Sequence, residues 1–269
     1  VREVDRVEFG QMEGREMRIP EATVLAIETS TRVCSAALQC GGRLTEKTRT
    51  GAGVHASGLP SMVRELFEQA GIASGDLGAL LLAGGPGSYT GLRIGVSFVK
   101  GLLLPVPEVA LQVAGSLPMM AIGAWLERGR GLEQEASVDA GADGELAGKP
   151  TGGPIRVHAV IDARRQHLYS WCGEFASDGR VEPVLPAAVR PLARIEEALR
   201  PGDVVCGTGW ERLERVDRLA NPTLGESAIR AETLLRAFAE PVWRSWFTLC
   251  EPSEFTPDYL GGYGAPPGG

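Results

Sequence analysis

The stretch LLLAGGPGSYTGLRIGVSFVKGLLL, Leu80–Leu104, decides how the rest of the chain is read. Its first residues close the apolar run ALLLA, which is too short for a helix and flanked by glycines, so it reads as a buried strand. From Leu92 the apolar period changes to that of a helix, and GGPGSYTG between them is a tight turn. Strand, turn and helix in this order raise the question of a phosphate cradle. A P-loop needs GxxxxGK[ST], but Gly91 is followed by Leu92 and Arg93. A dinucleotide fingerprint needs GxGxxG with an acidic ribose partner downstream, whereas Gly85, Gly87 and Gly91 give GxGxxxG with no clear acid at that distance. A nucleophile elbow needs GxSxG, and Ser88 stands one place early. What remains is a turn whose N–H groups, with Ser88 or Thr90, could receive an anion at the helix N-terminus, or simply cap it.

The helix beyond the turn carries Arg93, Ser97 and Lys100 on one narrow stripe, while Leu92, Ile94, Val96, Phe98, Val99, Leu102 and Leu103 cover the remainder. Gly91, Gly95 and Gly101 allow a neighbouring backbone to come close. So apolar a helix is either buried between two layers of its own lobe or partly covered by another protein.

Working outward, VLAIE, VCSAALQ and LTEKTRT, separated by the turns TSTR and CGGR, read as an antiparallel meander from Val24. Leu59, Met62, Val63, Leu66, Phe67 and Ala70 then mark one helical stripe, with Pro60 early and Gly71 past its end. On the other side, residues 127–154 lose apolar period and fill with glycine and acids, the pattern of a flexible excursion. IRVHAVIDA and HLYSWCGEF flank the turn RRQ as a hairpin, DVVCGTGW reads as a strand entering a glycine turn, and Ser227–Phe238 reads as helical. The architecture expected is α/β in two lobes joined near Pro105–Pro107. The first lobe is 21–107, and 108–250 is the second. Residues 1–20 read as a flexible tail, and Met17, just ahead of the first strand in a chain that opens on Val1, marks an expected translation start.

The 269 residues are 43% hydrophobic and 23% charged, enough for a sizeable core, and the net charge of -7 builds in no general attraction to nucleic acid or anionic membrane. Five cysteines without a CxxC pair suit reduced thiols in a cytoplasm, and no apolar run approaches the roughly 20 residues of a membrane span. Three scattered histidines, His55, His158 and His167, make a poor zinc site, so no metal is expected. Glu28, at the end of the first strand beside Thr29, could face a nucleotide or form an ordinary polar turn. Asp162, Arg164 and Arg165 could position an anion at the tip of the hairpin, or stay solvated.

Taken together, LAIETSTRVCSAAL, His55 before an amphipathic helix, GGPGSYTGLRIGVSFVKGL, IDARRQHLYS and PDYL resemble the TsaB family, also called YeaZ, over most of 23–126 and 155–261. The resemblance implies two ribonuclease H-like lobes of the actin/hexokinase/Hsp70-like ATPase fold, with the segment 251–263 joining the first lobe. It implies a non-catalytic activator of TsaD, which transfers a threonylcarbamoyl group to the adenosine 3′ of the anticodon in tRNAs reading codons that begin with A. The P-loop ATPase TsaE completes the assembly, and tRNA is met through the complex. The docking surface implied lies on the first-lobe helices: Leu59, Met62, Val63, Leu66 and Phe67, with Leu92, Arg93, Val96, Val99, Lys100 and Leu103. A homodimer would use the same surface. Any ATP or ADP is expected at the interface of the assembled complex, near Glu28, Thr29, Gly85, Gly87, Ser88 and Thr90. The acidic excursion, the N-terminal tail and Gly261, where the terminal PxYLR pattern has arginine, depart from the family. A glycoprotease-like peptidase and a small-molecule kinase of the same fold are the rival readings.

Overall fold

A computed structural model describes residues 22–51, 53–136, 153–219, 221–225 and 229–260. The expected N-terminal tail, the start at Met17, Gly261 and residues 137–152 of the acidic excursion lie outside that set.

The elements run β1 (Val24–Glu28), β2 (Val33–Cys40), β3 (Arg43–Thr50), α1 (Val54–Ala70), β4 (Ala79–Ala83), α2 (Tyr89–Leu103), β5 (Ala110–Ala114) and α3 (Ser116–Ala136). There follow β6 (Ile155–Asp162), β7 (His167–Phe175), β8 (Val181–Pro191), α4 (Leu192–Ala198), β9 (Val204–Gly207), α5 (Glu214–Arg218), β10 (Thr223–Leu224), α6 (Ala231–Ala239), α7 (Pro241–Arg244) and β11 (Phe247–Cys250). The meander and the hairpin form where the alternating residues place them. ALLLA is a strand buried along its whole length, as a short apolar run flanked by parallel neighbours should be.

Two sheets result, ordered β11-β5-β4-β1-β2-β3 and β10-β9-β6-β7-β8. In the first, β1 pairs antiparallel with β2 and parallel with β4, β2 is antiparallel to β3, and β4 is parallel to β5. In the second, β6 stands to β7, β8, β9 and β10 in the same order and directions. The chain therefore builds one ribonuclease H-like unit twice, the doubled lobe of the actin/hexokinase/Hsp70-like fold. It then adds β11 to the first sheet, antiparallel to β5.

This topology corrects the lobe boundary expected at 107. Ala110–Ala114 is a parallel strand of the first sheet, and Phe247–Cys250 pairs beside it, so the first lobe takes chain from both sides of the second. The excursion expected from 127 is corrected too, because α3 continues as helix to Ala136. Ahead of that extension the helix is anchored: Trp125 on α3 stacks 6.0 Å from Phe175 and meets Trp243 edge-on at 5.6 Å, and Trp243 Nε1 donates to the carbonyl of Gly179 at 2.7 Å.

Alternation along the central strands sorts the core into two layers. Leu25, Ile27, Leu80 and Leu82 point to the layer that holds Leu59, Met62, Leu66, Val96 and Val99 from α1 and α2. Val24, Ala26, Ala37 and Leu81 point to the opposite layer, where they join Leu234 of α6, Trp125 of α3 and Val157 and Ala159 of β6 in one continuous cluster. Small residues on that face let α6 lie close to the sheet. One core thus spans both lobes.

Candidate functional site

The GGPGSYTG turn is built by close approach. A Cβ on Gly87 would lie 2.1 Å from the carbonyl oxygen of Ser30, one on Gly91 2.2 Å from that of Thr29, and one on Gly95 2.3 Å from Thr29 Oγ1. The start of α2 therefore rests directly on the turn after β1. Gly85, at φ +118, is held against the C-terminal segment: Asp258 N donates to the carbonyl of Gly84 at 2.9 Å. Ser88 caps the helix, its Oγ accepting the N–H of Gly91 at 3.2 Å. Of the two readings of this turn, packing and capping describe its contacts.

Glu28, Thr29, Gly85 and Gly87 are buried in that seam, while Ser88 and Thr90 are exposed at its edge. Of the six residues expected near an anion, Glu28 and Thr29 close the end of β1, and Gly85 and Gly87 belong to the turn that packs on it. Burial pushes the Glu28 carboxyl above its ordinary pKa, opposed by the N–H groups of Ser30 and Thr29. His55, on α1, closes the seam. Burial lowers its pKa, the backbone of Val33 and Thr31 opposes that shift, and its Nε2 has no hydrogen-bond partner among the described residues. Ser88 and His55 thus stand near one another without forming a nucleophile–base hydrogen bond. Among the described residues, no three His, Cys, Asp or Glu side chains gather as a metal site.

Most of the docking stripe expected from the sequence faces inward, and that expectation is corrected. Leu59, Met62, Val63, Leu66, Val96, Val99 and Leu103 are buried in the core of their own lobe, α1 lying over β2 and β3, and Leu92 is buried as well, because the strong apolar stripe of each helix is what the sheet covers. Arg93 remains exposed and Phe67 half-buried. Lys100 turns away, donating to the carbonyl of Ser253 at 2.9 Å. The outer face instead carries two adjoining grooves of about 570 and 420 Å³ between α1 and α2, both lined by Pro60 and Phe98. Ile94, Ser97 and Arg93 line the first, Phe67, Arg64 and Leu102 the second. Sequence reading counted Ile94, Phe98 and Leu102 among the apolar set without separating them from the inward stripe. Their offset from Val96 and Val99 around the helix is the signal that distinguishes them. Near one end, Arg93 Nη1 donates to Tyr89 OH at 2.7 Å, and the Tyr89 ring lies 5.2 Å from that of Tyr259.

With this geometry in view, the likeness to known proteins is specific. TsaB of Escherichia coli K12, named as a tRNA threonylcarbamoyladenosine biosynthesis protein, is 35% identical over 198 residues, covering 70% of this chain and 72% of that protein. The chain belongs to the TsaB family. The TsaB protein of Haemophilus influenzae, also named as a tRNA threonylcarbamoyladenosine biosynthesis protein, is 30% identical over 192 residues, again 70% of this chain and 72% of the relative. Among solved structures, YeaZ from Pseudomonas aeruginosa superposes with a TM-score of 0.66 at 28% identity, covering 89% of this chain and all of that one. A second structure, described as an uncharacterized protein with similarity to peptidase YEAZ from Pseudomonas aeruginosa, gives a TM-score of 0.67 at 28% identity, also over 89% of this chain and 100% of the other. The family model of TsaD, described as a tRNA N6-adenosine threonylcarbamoyltransferase, matches residues 49–126. That span runs from the end of β3 through α1, β4, α2 and β5 into α3 and so includes the helices that carry the outer grooves.

Proposed function

We propose that this chain is the TsaD-docking and activating subunit of tRNA threonylcarbamoyladenosine synthesis, and that it carries out none of the transfer chemistry. The observation that carries this reading is the TsaD match over 49–126, because it falls on the helix pair whose outer face is grooved and partly apolar. Two proteins with like helix pairs can join them about a pseudo-twofold axis, each filling the other's groove. Phe98, Ile94 and Phe67 would supply the apolar contact and Arg93 and Arg64 its charged rim. The same geometry makes a homodimer the competitor of the heterodimer.

The seam of Gly87, Gly91 and Gly95 on Thr29 and Ser30 supports a positioning role: it holds α2 at a fixed depth and angle, which is what a subunit needs in order to impose a conformation on its partner. Nucleotide would be bound at the joint interface, with TsaE as the ATPase of the assembly and the cytoplasm, where tRNA is modified, as its compartment. A peptidase reading finds no support in Ser88, whose Oγ caps α2 and does not pair with His55.

Reconstitution tests the proposal. Cognate TsaD and TsaE, supplied with tRNA and the threonylcarbamoyl donor system, should form threonylcarbamoyladenosine only when this chain is added. Full activity without it overturns the reading.

A further inference from the structure

A cavity of about 450 Å³ opens on the second lobe, away from the residues assigned to TsaD docking, and is lined by Arg128 of α3, Arg156 of β6, Glu174 of β7, and Arg200 and Asp203 ahead of β9. Arg156 is only 8% exposed, yet its Nε and Nη1 have no hydrogen-bond acceptor among the described residues, and the Nε of Arg128 is buried in the same condition. Arg156 Nη2 reaches the carbonyl of Ala198 at 3.5 Å and the sulfur of Cys172 at 3.8 Å, both long contacts. Its Nη1 lies 3.9 Å from Asp203 Oδ2, an oxygen already paired with His158 Nε2 at 2.8 Å and accepting the N–H of Arg200 at 3.0 Å. A buried guanidinium with open N–H groups is costly unless an acceptor arrives.

The neighbouring Cys172, His158 and Asp203 do not form a nucleophilic triad. Cys172 Sγ, at 3.5 Å, and Asp203 meet the same Nε2 of His158, and burial pushes the thiol up to about 11. The chemistry of the pocket is that of its arginines.

We propose that this pocket binds a phosphate group. Guanidinium groups from a helix, a strand and a loop line it, and a phosphate can accept from several directions where a carboxylate, with two oxygens, suits a single fork. Glu174 and Asp203 offset two of the three arginine charges, which leaves a positive surplus for an anion. Inorganic phosphate, a nucleotide and an RNA phosphodiester all present that group. Its lining shares no residue with the outer grooves between α1 and α2.

The test is NMR titration of the full chain with inorganic phosphate, against sodium chloride at matched ionic strength, followed through the arginine Nε–Hε signals. Phosphate should shift the Arg156 signal saturably, and Arg128→Ala or Arg200→Ala should each weaken binding by about tenfold. Arg200 is exposed, so its variant keeps the test valid if an Arg156 variant fails to fold. A tRNA anticodon stem-loop is the second arm. Competition with inorganic phosphate that is lost in Arg200→Ala identifies an RNA phosphodiester as the source, and phosphate binding without RNA competition identifies a free small phosphate. No saturable shift in the wild-type chain, or an equal shift in the Arg128→Ala/Arg200→Ala double variant, overturns the proposal.

Discussion

Glycines of the same helix carry opposite expectations. A methyl group on Gly91 would be driven into the Thr29 carbonyl at 2.2 Å, whereas one on Gly101 would meet nothing within 4 Å. Gly91→Ala should therefore destabilise the protein by roughly 1–3 kcal/mol, while Gly101→Ala should stabilise it by about 0.4–1 kcal/mol. Urea denaturation of the two variants, read as opposite movements of the midpoint, checks the pair. Glu28 gives a pH expectation at the same scale. Its folded pKa lies above the ordinary carboxylate value because the side chain is buried, so the folded state holds this proton more tightly than the unfolded chain. Its contribution is fully present below the unfolded pKa and is lost as pH rises through the folded one. Glu28→Gln keeps an acceptor for the Ser30 N–H, which the carboxylate receives at 2.5 Å, and should flatten the stability profile above the ordinary glutamate pKa. Thermal denaturation of both proteins across that window measures it.

At the scale of the element, α2 has an inner and an outer face, and the two should respond differently to charge. Val99 is 1% exposed among the leucines of β4, so Val99→Asp should cost roughly 4 kcal/mol or more and unfold the lobe before any question of binding arises. Arg93→Glu and Ser97→Arg lie outside; they should change stability by no more than about 0.5 kcal/mol yet abolish co-elution with TsaD. Co-elution of both variants at wild-type yield would remove the groove from the docking surface. The helix itself, its cap and its launching turn were all legible in Leu80–Leu104, and so was the adjoining strand. The direction of its apolar faces was not. Periodicity separates Val96 from Phe98 as lying on different faces but does not say which face the sheet will cover, since that depends on β1 and β2, far away in sequence. The strand β8 escaped reading for another reason: Pro183, Pro186 and Pro191 argue against a strand, and only its place at the edge of the second sheet makes them tolerable. Likewise β11 is four residues long and half exposed, with no pattern of its own.

At the scale of the molecule, α6 fastens the end of the chain to the beginning. The side chain of Glu46 on β3 is 5% exposed; it accepts from Ser35 Oγ at 2.7 Å, from Arg230 Nε at 2.7 Å and from the N–H of Glu232 at 3.0 Å, at the positive end of the helix. Ser35 Oγ in turn accepts the N–H of Ala231 at 3.0 Å. Glu46→Ala should cost about 2 kcal/mol and raise amide exchange in α6 more than in β6 or β7, a contrast that hydrogen-exchange mass spectrometry resolves. No sequence pattern announces this clasp, because its partners lie 186 residues apart. The two-lobe plan was legible from the strand order, but the boundary at 107 was not, since β5 and β11 complete a sheet whose other strands were already made. That late completion has a consequence in time. While the ribosome is still translating the second lobe, β5 stands with a bare edge, and the sheet that β1–β4 began waits for residues 247–250 to emerge. For the whole of that interval the nascent chain offers an open strand to whatever is nearby, so the speed of its last stretch of synthesis, and any chaperone that shields β5 meanwhile, bears on how much of it matures correctly.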